Sequence, residues 1–310
     1  GTVHFGSWDI YGITVLMGAM FGAGWSTYGF ETAVCYTREF RNPARDTPRA
    51  LIASGLLCIL IFALVPLAFQ ASLGLEGMLT PGIYDGSGVA LALARIVGGG
   101  VVVSNIFITM LILSLLLIVM TSMMGSSRTL YQASVDGWLP KYLARVNPHG
   151  APTAAMWTDL GFNLLLLLTS DYFAVLMISN VCYMVFNFLN LQSGWIHRID
   201  RAGWERPFRC PTWLLATGAV FGFVNMAFMG AGADVWGKNT LRNGLIAVLL
   251  IVPVFLFRHF VQDKGRFPVR ADGVAEPPTV RRAGVLPWVT LLACVVVVAV
   301  AHAVARLPLH

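Results

Sequence analysis

Two residues near the start of the chain, Gly29 and Glu31, interrupt what is otherwise an apolar helical run. An ionisable group well inside a membrane span costs about 2.5–3.5 kcal/mol by insertion scales, so such groups usually face a cavity or a partner. A helix broken at Tyr28-Gly29 leaves backbone N–H and C=O groups free for a ligand, as in the midplane sites of transporters. The alternative is a longer helix that carries Glu31 to the inner interface. These residue types allow both interpretations.

The glycines of this run have two different interpretations. Gly18 and Gly22 are four residues apart, a spacing that lets membrane helices pack closely. Gly29 instead follows the polar run Ser26, Thr27 and Tyr28, which favours a break in the helix. We therefore expect Gly18 and Gly22 to serve packing and Gly29 to serve the interruption.

Four polar side chains share one face of the fifth apolar run. Asn180, Tyr183, Asn187 and Asn190 follow one another at i, i+3, i+7 and i+10, a helical period. Side chains in this position either line a transport pathway or form hydrogen bonds to neighbouring helices. The spacing does not distinguish the two.

Two further pairs of polar residues could bind a coupling ion. Asp159 and Asn163 lie at i and i+4 in the fourth run, so Asp159 is a candidate proton or cation site, or else a hydrated group near the inner face. Thr121 and Ser122 near the end of the third run could supply hydroxyl ligands to Na⁺. Hydroxyls are common in membrane helices, so the alternative for this pair is an ordinary structural role.

Enzyme chemistry has no support in the residue pattern. Ser126 and Ser127 lie near no His or Asp in an arrangement suited to nucleophilic catalysis. The five cysteines show neither metal-ligand spacing nor a disulfide framework. The histidines of the inner loops are equally scattered: His149, His197 and His259. We expect no enzyme activity and no cofactor. Coupling to H⁺, coupling to Na⁺ and exchange all stay open.

The composition predicts a helical protein of the membrane. Apolar residues make up 57% of the 310 and charged residues 12%, about half the charged fraction of a globular domain. The mean hydropathy is +0.72. A span needs about 20 apolar residues, and eight candidates follow one another: Tyr11–Tyr36, Ala50–Leu73, Ile96–Met124, Ala154–Leu168, Phe173–Ile196, Trp213–Ala231, Leu245–Phe257 and Val285–Ala305. Pro48 is predicted to begin the second helix, since proline is tolerated in a first turn.

The basic residues indicate orientation rather than nucleic-acid binding. If the first span enters from outside, all but four of the 21 Lys and Arg residues fall in inner loops. The positive-inside rule therefore predicts that both the first residue and the C-terminus lie outside. The partner implied by the net charge of +6 is the lipid bilayer.

The spans divide the chain into three parts. Residues 1–262 contain seven spans, residues 263–284 form a polar, Pro-rich inner linker, and residues 285–310 form an additional span with a short outer tail. The chain begins with Gly1, and its first residues do not read as a signal peptide. We expect the sequence to start inside a longer protein.

Three stretches resemble the amino acid–polyamine–organocation transporter superfamily. WSTYGFETA…REFRNPARDTPRA is similar to the family's sixth helix and its following loop. SSRTLYQASVDGWLPKYLARVNPHGAPTAA is similar to the loop after helix eight, and RPFRCP to the loop before helix eleven. The three occur in the family's order, between correctly counted spans, and the resemblance covers roughly residues 8–262.

The resemblance implies an all-α membrane fold of five-plus-five inverted repeats, of which this chain carries the second. Helices 6–10 are followed by helices 11 and 12 and one additional C-terminal span, and helices one to five are absent. The implied function is secondary active transport of an amino acid or related amine across the plasma membrane by alternating access. With half of the site missing, we expect the chain alone to be inactive. The alternative is a non-transporting fragment, or an accessory half that pairs with another chain.

The resemblance also implies roles for individual residues. Trp25 matches an aromatic that covers the substrate in the arginine/agmatine antiporter branch, Gly29 matches the break, and Glu31 matches a coupling carboxylate. Ser122 stands near where that branch has a gating tryptophan, so a guanidinium substrate is not supported. The complete set of candidates comprises substrate-binding residues Trp25, Ser26, Thr27, Tyr28, Gly29 and Phe30, coupling or gating residues Glu31, Asp159 and Ser122, and pathway-lining residues Asn180, Tyr183 and Asn187.

Overall fold

The computed structural model describes residues 8–84, 86–169, 171–268 and 282–307, and every regular element in these ranges is helical. The α-helices are α1 (Ile10–Ser26), α2 (Pro43–Met78), α3 (Pro81–Tyr84), α4 (Val89–Val97), α5 (Val101–Val135), α6 (Thr153–Thr169), α7 (Tyr172–Asp200), α8 (Thr212–Gly232), α9 (Thr240–Leu249), α10 (Ile251–Leu256) and α11 (Leu286–Ala305). Shorter turns of other types are the 3₁₀ helices Phe30–Glu39, Lys141–Ala144 and Ala233–Val235 and the π-helix Phe257–Gln262.

Six of the described helical segments are long and apolar enough to cross a membrane: Pro43–Met78, Val101–Val135, Tyr172–Asp200, Thr212–Val235, Thr240–Gln262 and Leu286–Ala305. The 17 residues of α1 and the apolar α6 are shorter. The protein is therefore a multi-pass membrane protein of helices. The inverted-repeat arrangement remains a prediction.

The predicted spans agree best where a polar residue bounds the apolar run. Asp171 caps α7 by accepting the backbone N–H of Phe173 at 3.1 Å, and the predicted span begins two residues later. The predicted start of the second helix at Pro48 is wrong. Helix α2 begins at Pro43, because the Asn42 side chain caps it by accepting the Arg45 N–H at 3.3 Å.

The third predicted span is divided and extended. Gly98 ends α4 with a φ of 79°, and α5 begins at Val101 and continues past Met124 to Val135. The next left-handed residue along the chain is Gly137, with a φ of 87°, so no backbone signal ends α5 earlier. The seventh span is likewise divided near Leu250, since Pro253 lacks the N–H that Leu249 would accept.

The chain forms two compact units, each with its own packing. The first unit comprises Gly1–Tyr28, Ala133–Leu143 and Gly161–His310, and its core contains Phe21, Met177, Val181, Met184, Phe188, Met226, Met229, Ala233 and Leu241. Helices α1, α7 and α11 all pack against α8 in this unit.

Small residues allow close approach within the first unit. The carbonyl oxygen of Gly18 accepts the Trp236 indole N–H at 2.7 Å. A Cβ on Gly18 would lie 2.9 Å from Val235, and one on Gly22 would lie 2.5 Å from the Trp236 ring. The predicted packing role of these two glycines is therefore confirmed.

The second unit comprises Gly29–Gln132 and Ala144–Leu160. Its 3₁₀ helix Phe30–Glu39 packs against α2 and is tied to α5, where Arg128 Nε lies 2.6 Å from Glu39 Oε1. The most apolar stretches of α2 and α5 have no buried residues in the structure, so these surfaces are available to lipid or to further protein.

The additional C-terminal helix α11 agrees with the last predicted span to within one residue. Of the predicted linker 263–284, residues 269–281 lie outside the described part of the chain. The division into the three predicted domains therefore stays a prediction.

Candidate functional site

The end of α1 is shaped by its own hydroxyl side chains. The last carbonyls of a helix lack intrahelical partners, and here Ser26 Oγ donates to the Ala23 carbonyl at 2.6 Å. Thr27 Oγ1 donates to the Gly24 carbonyl at 2.8 Å. Trp25, in the same turn, has 42% of its surface exposed. These contacts end the helix at Ser26 and leave the Trp25 ring accessible.

Tyr28 follows this turn and is held by α7. Its hydroxyl donates to the side-chain carbonyl of Asn180, and its ring centroid lies 3.4 Å from that of Tyr183. Asn180 is fully buried and donates its amide N–H to the Phe21 carbonyl at 2.7 Å. The structure thus brings together three residues that were predicted for different roles, Tyr28 as a substrate contact and the two α7 residues as pathway lining.

The backbone turns at Gly29. This residue has a φ of 101°, a region that residues with a Cβ avoid, and it caps the 3₁₀ helix Phe30–Glu39. Its N–H donates to Glu31 Oε2 at 3.2 Å, and its carbonyl accepts the Thr32 N–H at 3.0 Å. The Glu31 carboxylate therefore caps the start of the 3₁₀ helix. The alternative of one uninterrupted helix through Glu31 is wrong.

Ten residues in 3₁₀ conformation are unusual, because such runs rarely exceed three or four residues. Gly29 itself is exposed, and a Cβ there would meet nothing within 4 Å. Its requirement for glycine is therefore conformational. The side chain of Phe30 lies outside the described part of the structure.

Asp159 has a partner that sequence reasoning missed. Ser126 Oγ donates to Asp159 Oδ2 at 2.6 Å, joining α5 to α6 within the second unit. Ser122, four residues before Ser126 on the same helix face, is exposed. The Thr121 hydroxyl donates to the Leu117 carbonyl at 2.7 Å. The sequence offers Ser126 only as a possible nucleophile, and no local spacing links it to Asp159 on the next helix.

The remaining polar candidates on α6 and α7 differ in burial. Asn187 is half-buried, whereas Asn190 and Asn163 are exposed. The burial and bonding of Asn180 agree with its interhelical interpretation, and the pathway role of the three α7 residues stays a prediction. Within the described ranges, no group of three or more His, Cys, Asp or Glu side chains could hold a metal ion.

A cluster of charges at the end of the π-helix was not predicted. Asp263, whose side chain is 9% exposed, lies 2.9 Å from Lys141 Nζ and 2.5 Å from Nε of the buried Arg258. The hydrogen bond from Lys141 and the ion pair with Arg258 hold the pKa of the Asp263 carboxyl below its usual range. This cluster fastens the segment that follows α5 to the segment that follows α10.

Comparison with known proteins gives a consistent result. The family model for "Amino acid permease" matches residues 2–256. The branched-chain amino acid permease BcaP of Lactococcus lactis is 27% identical over 74% of this chain and 48% of its own length. The lysine-specific permease LysP of the same organism is 26% identical over 51% of this chain and 31% of its own length. The chain thus spans about half, or less, of the relatives it matches. No solved structure is significantly similar to it.

Proposed function

The chain belongs to the amino acid permease family, and we propose that it forms part of a secondary active transporter that moves an amino acid or related amine across the plasma membrane. The resemblance seen in the sequence is confirmed by this family match over residues 2–256. Permeases are transporters and not enzymes. The two relatives carry the names of branched-chain and lysine permeases, which supports amino acids as the substrate class.

One observation carries the proposed site, namely the break between Ser26 and Phe30 with its left-handed Gly29. A helix C-terminus carries partial negative charge and a helical N-terminus partial positive charge. The end of α1 is therefore suited to a substrate ammonium group. The N–H groups at the start of the 3₁₀ helix are suited to a carboxylate.

Glu31 and Trp25 have complementary roles in this proposal. Glu31 already accepts the Gly29 N–H at 3.2 Å, so a substrate carboxylate at that donor competes with it. Displacement or protonation of Glu31 would then couple substrate binding to H⁺. The accessible ring of Trp25 covers the bound substrate. The other two coupling or gating candidates, Asp159 and Ser122, are assigned to coupling by H⁺ or Na⁺.

Alternating access and orientation complete the proposal. The segment from Trp25 to Glu31 changes its exposure between the two sides of the membrane, and the first residue and the C-terminus lie outside. The excess of basic residues in the predicted inner loops supports this orientation. The resemblance of this sequence to the second repeat implies that helices one to five are needed as well, so we propose that the chain alone transports nothing.

A second candidate function is that of a half-transporter or accessory chain that pairs with another polypeptide. The unburied apolar stretches of α2 and α5 support it, because a second polypeptide could pack there. Affinity purification of the chain from its own membranes distinguishes the two. A stoichiometric second chain supports the accessory role, whereas uptake by one longer polypeptide that contains this sequence supports the leading proposal.

The test of the proposed site is uptake of labelled amino acids by liposomes that contain the protein together with any chain that accompanies it. Trp25→Ala should abolish most of the uptake, whereas Trp213→Ala, at an exposed tryptophan of α8, should not. Equal loss in both variants would argue against a substrate contact at Trp25.

A further inference from the structure

A groove lies between α7 and α11. It is located at the C-terminal end of α7, where arginine residues are frequent. Its volume is about 320 Å³, within the range of small-molecule sites. The lining comes from α7 and from the first turns of α11. We propose that this groove binds a phospholipid with an anionic headgroup.

The apolar part of the groove fits an acyl chain. Its walls include Phe188, Leu189 and Ile196 of α7 and Leu291 of α11. Leu189 and Leu291 are exposed, and both helices are long and apolar enough to cross a membrane. The groove therefore opens toward bilayer hydrocarbon, where an acyl chain has no competitor from water.

The other end of the groove carries charge. His197, Asp200 and Arg201 line it there. Asp200 Oδ1 accepts the Ala283 N–H at 2.7 Å, which fastens the chain just before α11. The Arg201 guanidinium lies 4.2 Å from the ring centroid of Trp204. Among the described residues, no carboxylate lies within ion-pair distance of Arg201.

A second arginine, Arg206, bonds to the backbone of Arg201 and lies close to His197. Arg206 donates to the Arg201 carbonyl at 2.8 Å, and its Nη2 lies 3.2 Å from His197 Nδ1. Neither a carbonyl nor an imidazole cancels a positive charge. In the described part of the chain, Arg206 has no carboxylate partner either. The mouth of the groove thus carries the Arg201 guanidinium and the Asp200 carboxylate, and Arg206, bonded to the Arg201 carbonyl, leaves a net excess of one positive charge in this region.

This pattern matches one class of ligand. An anionic phospholipid places its phosphate at Arg201, the arginine that lines the groove, and an acyl chain along the leucines, whereas inorganic phosphate uses only the charged end. Basic pockets between membrane helices on the cytoplasmic side are known to bind lipid headgroups. The predicted orientation places this end inside, on the side of the membrane that carries anionic lipid.

The experiment measures lipid retained by the purified protein. The full chain is exchanged into detergent with equal amounts of phosphatidylglycerol and phosphatidylcholine, and the lipid that remains bound is quantified by mass spectrometry. We expect preferential retention of phosphatidylglycerol. Arg201→Gln should weaken that retention about fivefold, the effect of one arginine near an anionic lipid surface. Ser193→Phe, which fills the groove from an exposed position, should remove it.

Two matched controls separate the groove from the rest of the surface. The control for Arg201→Gln is Arg209→Gln, at an exposed arginine of the loop that follows α7. The control for Ser193→Phe is Ser179→Phe, at an exposed serine of α7. Neither Arg209 nor Ser179 lines the groove. Both should retain lipid as the wild type does. Equal retention of the two lipids, or retention unchanged by Arg201→Gln, would overturn the proposal. If Ser193→Phe does not fold, Arg201→Gln decides. Because the readout is binding, failure of transport leaves the test intact.

Discussion

The hydroxyl of Tyr28 donates a hydrogen bond to the side-chain carbonyl of Asn180, which fixes the residue before the helix break to α7. The same amide donates its N–H to the Phe21 carbonyl at 2.7 Å. One buried side chain therefore holds α1 at two places, one within the helix and one beyond its end. We therefore expect the position of the break to depend on this contact.

Removing the hydrogen bond between Tyr28 and Asn180 should destabilise the protein, and the effects of substituting the two residues should not be additive. Asn180→Ala leaves the Tyr28 hydroxyl without that acceptor, and Tyr28→Phe removes the donor. Hydrogen bonds in membrane proteins contribute on average about 0.6 kcal/mol and up to about 1.7 kcal/mol in double-mutant cycles. We expect a coupling in this range from unfolding of the two single variants and the double variant.

The control for that cycle is Asn190→Ala, at an exposed asparagine of the same helix. It should change the free energy of unfolding little and should show no coupling to Tyr28→Phe. Additive effects of Asn180→Ala and Tyr28→Phe would contradict the proposed anchoring of the break.

Substitution of Gly29 should act through the backbone alone. A Cβ there meets no atom within 4 Å, but the φ of 101° is left-handed and costs a residue with a Cβ about 1–2 kcal/mol. Gly29→Ala should therefore lower the melting temperature. Gly161→Ala is its matched control, because Gly161 lies in α6 with equally open space and no left-handed φ.

The control should move in the opposite direction. Alanine in a helix interior is favoured over glycine by about 1 kcal/mol. The melting temperatures are measured by differential scanning fluorimetry. If the melting temperature rises in both variants, the left-handed turn at Gly29 is not required.

Neutralising Glu31 should separate folding from transport. Glu31→Gln keeps an oxygen that can accept the Gly29 N–H but removes the charge. We expect a melting temperature close to that of the wild type and loss of most proton-coupled uptake. Glu39→Gln is the control within the same 3₁₀ helix. Glu39 pairs with Arg128 at an exposed position, where ion pairs contribute about 0–1 kcal/mol. Normal uptake by Glu31→Gln would exclude the coupling role.

The cluster at Asp263 should respond to acid. Its carboxyl has a pKa below the usual value because Lys141 donates a hydrogen bond to it and Arg258 pairs with it. A depressed pKa in the folded state stabilises the protein above the unfolded-state pKa of about 4, and this stabilisation is lost as the pH falls through the folded-state value. Below that value the loop that contains Trp138 should loosen, with a change in tryptophan fluorescence.

Lys141→Met tests the sign of this effect. Without Lys141 the pKa of Asp263 rises toward its usual value, so the loop should loosen at a higher pH than in the wild type. Arg266→Met removes a nearby exposed charge that makes no ion pair with Asp263, and it should leave the midpoint almost unchanged. Identical midpoints for Lys141→Met and the wild type would contradict the assignment.

Local signals explain what could be predicted from the sequence. Apolar runs with a clear limit, such as Asp171 before α7, yield helices close to the expected bounds. Gly29 was found because a left-handed turn after a polar run has a local signature. Either Pro43 or Pro48 could begin the second helix. The capping side chain of Asn42 selects Pro43, and the periodicity of apolar residues does not show this cap.

Long-range contacts account for what could not be predicted. Tyr28 and Asn180 are 152 residues apart, and Gly18 and Trp236 are 218 apart, so no local pattern links them. The role of Ser126 was not predicted, because an uncharged hydroxyl gives no signal in the sequence. Its hydrogen bond to Asp159 forms only when α5 packs against α6. Lys141 and Asp263 are similarly joined only by folding.

The most direct test of the account is uptake of a panel of labelled amino acids and polyamines by liposomes that contain the protein with any chain that accompanies it. The account predicts saturable uptake of at least one amino acid, lost in Trp25→Ala and retained in Trp213→Ala, with no uptake by the 310-residue chain alone. Absence of uptake for every compound in the complete preparation would contradict it, and so would uptake by the isolated chain.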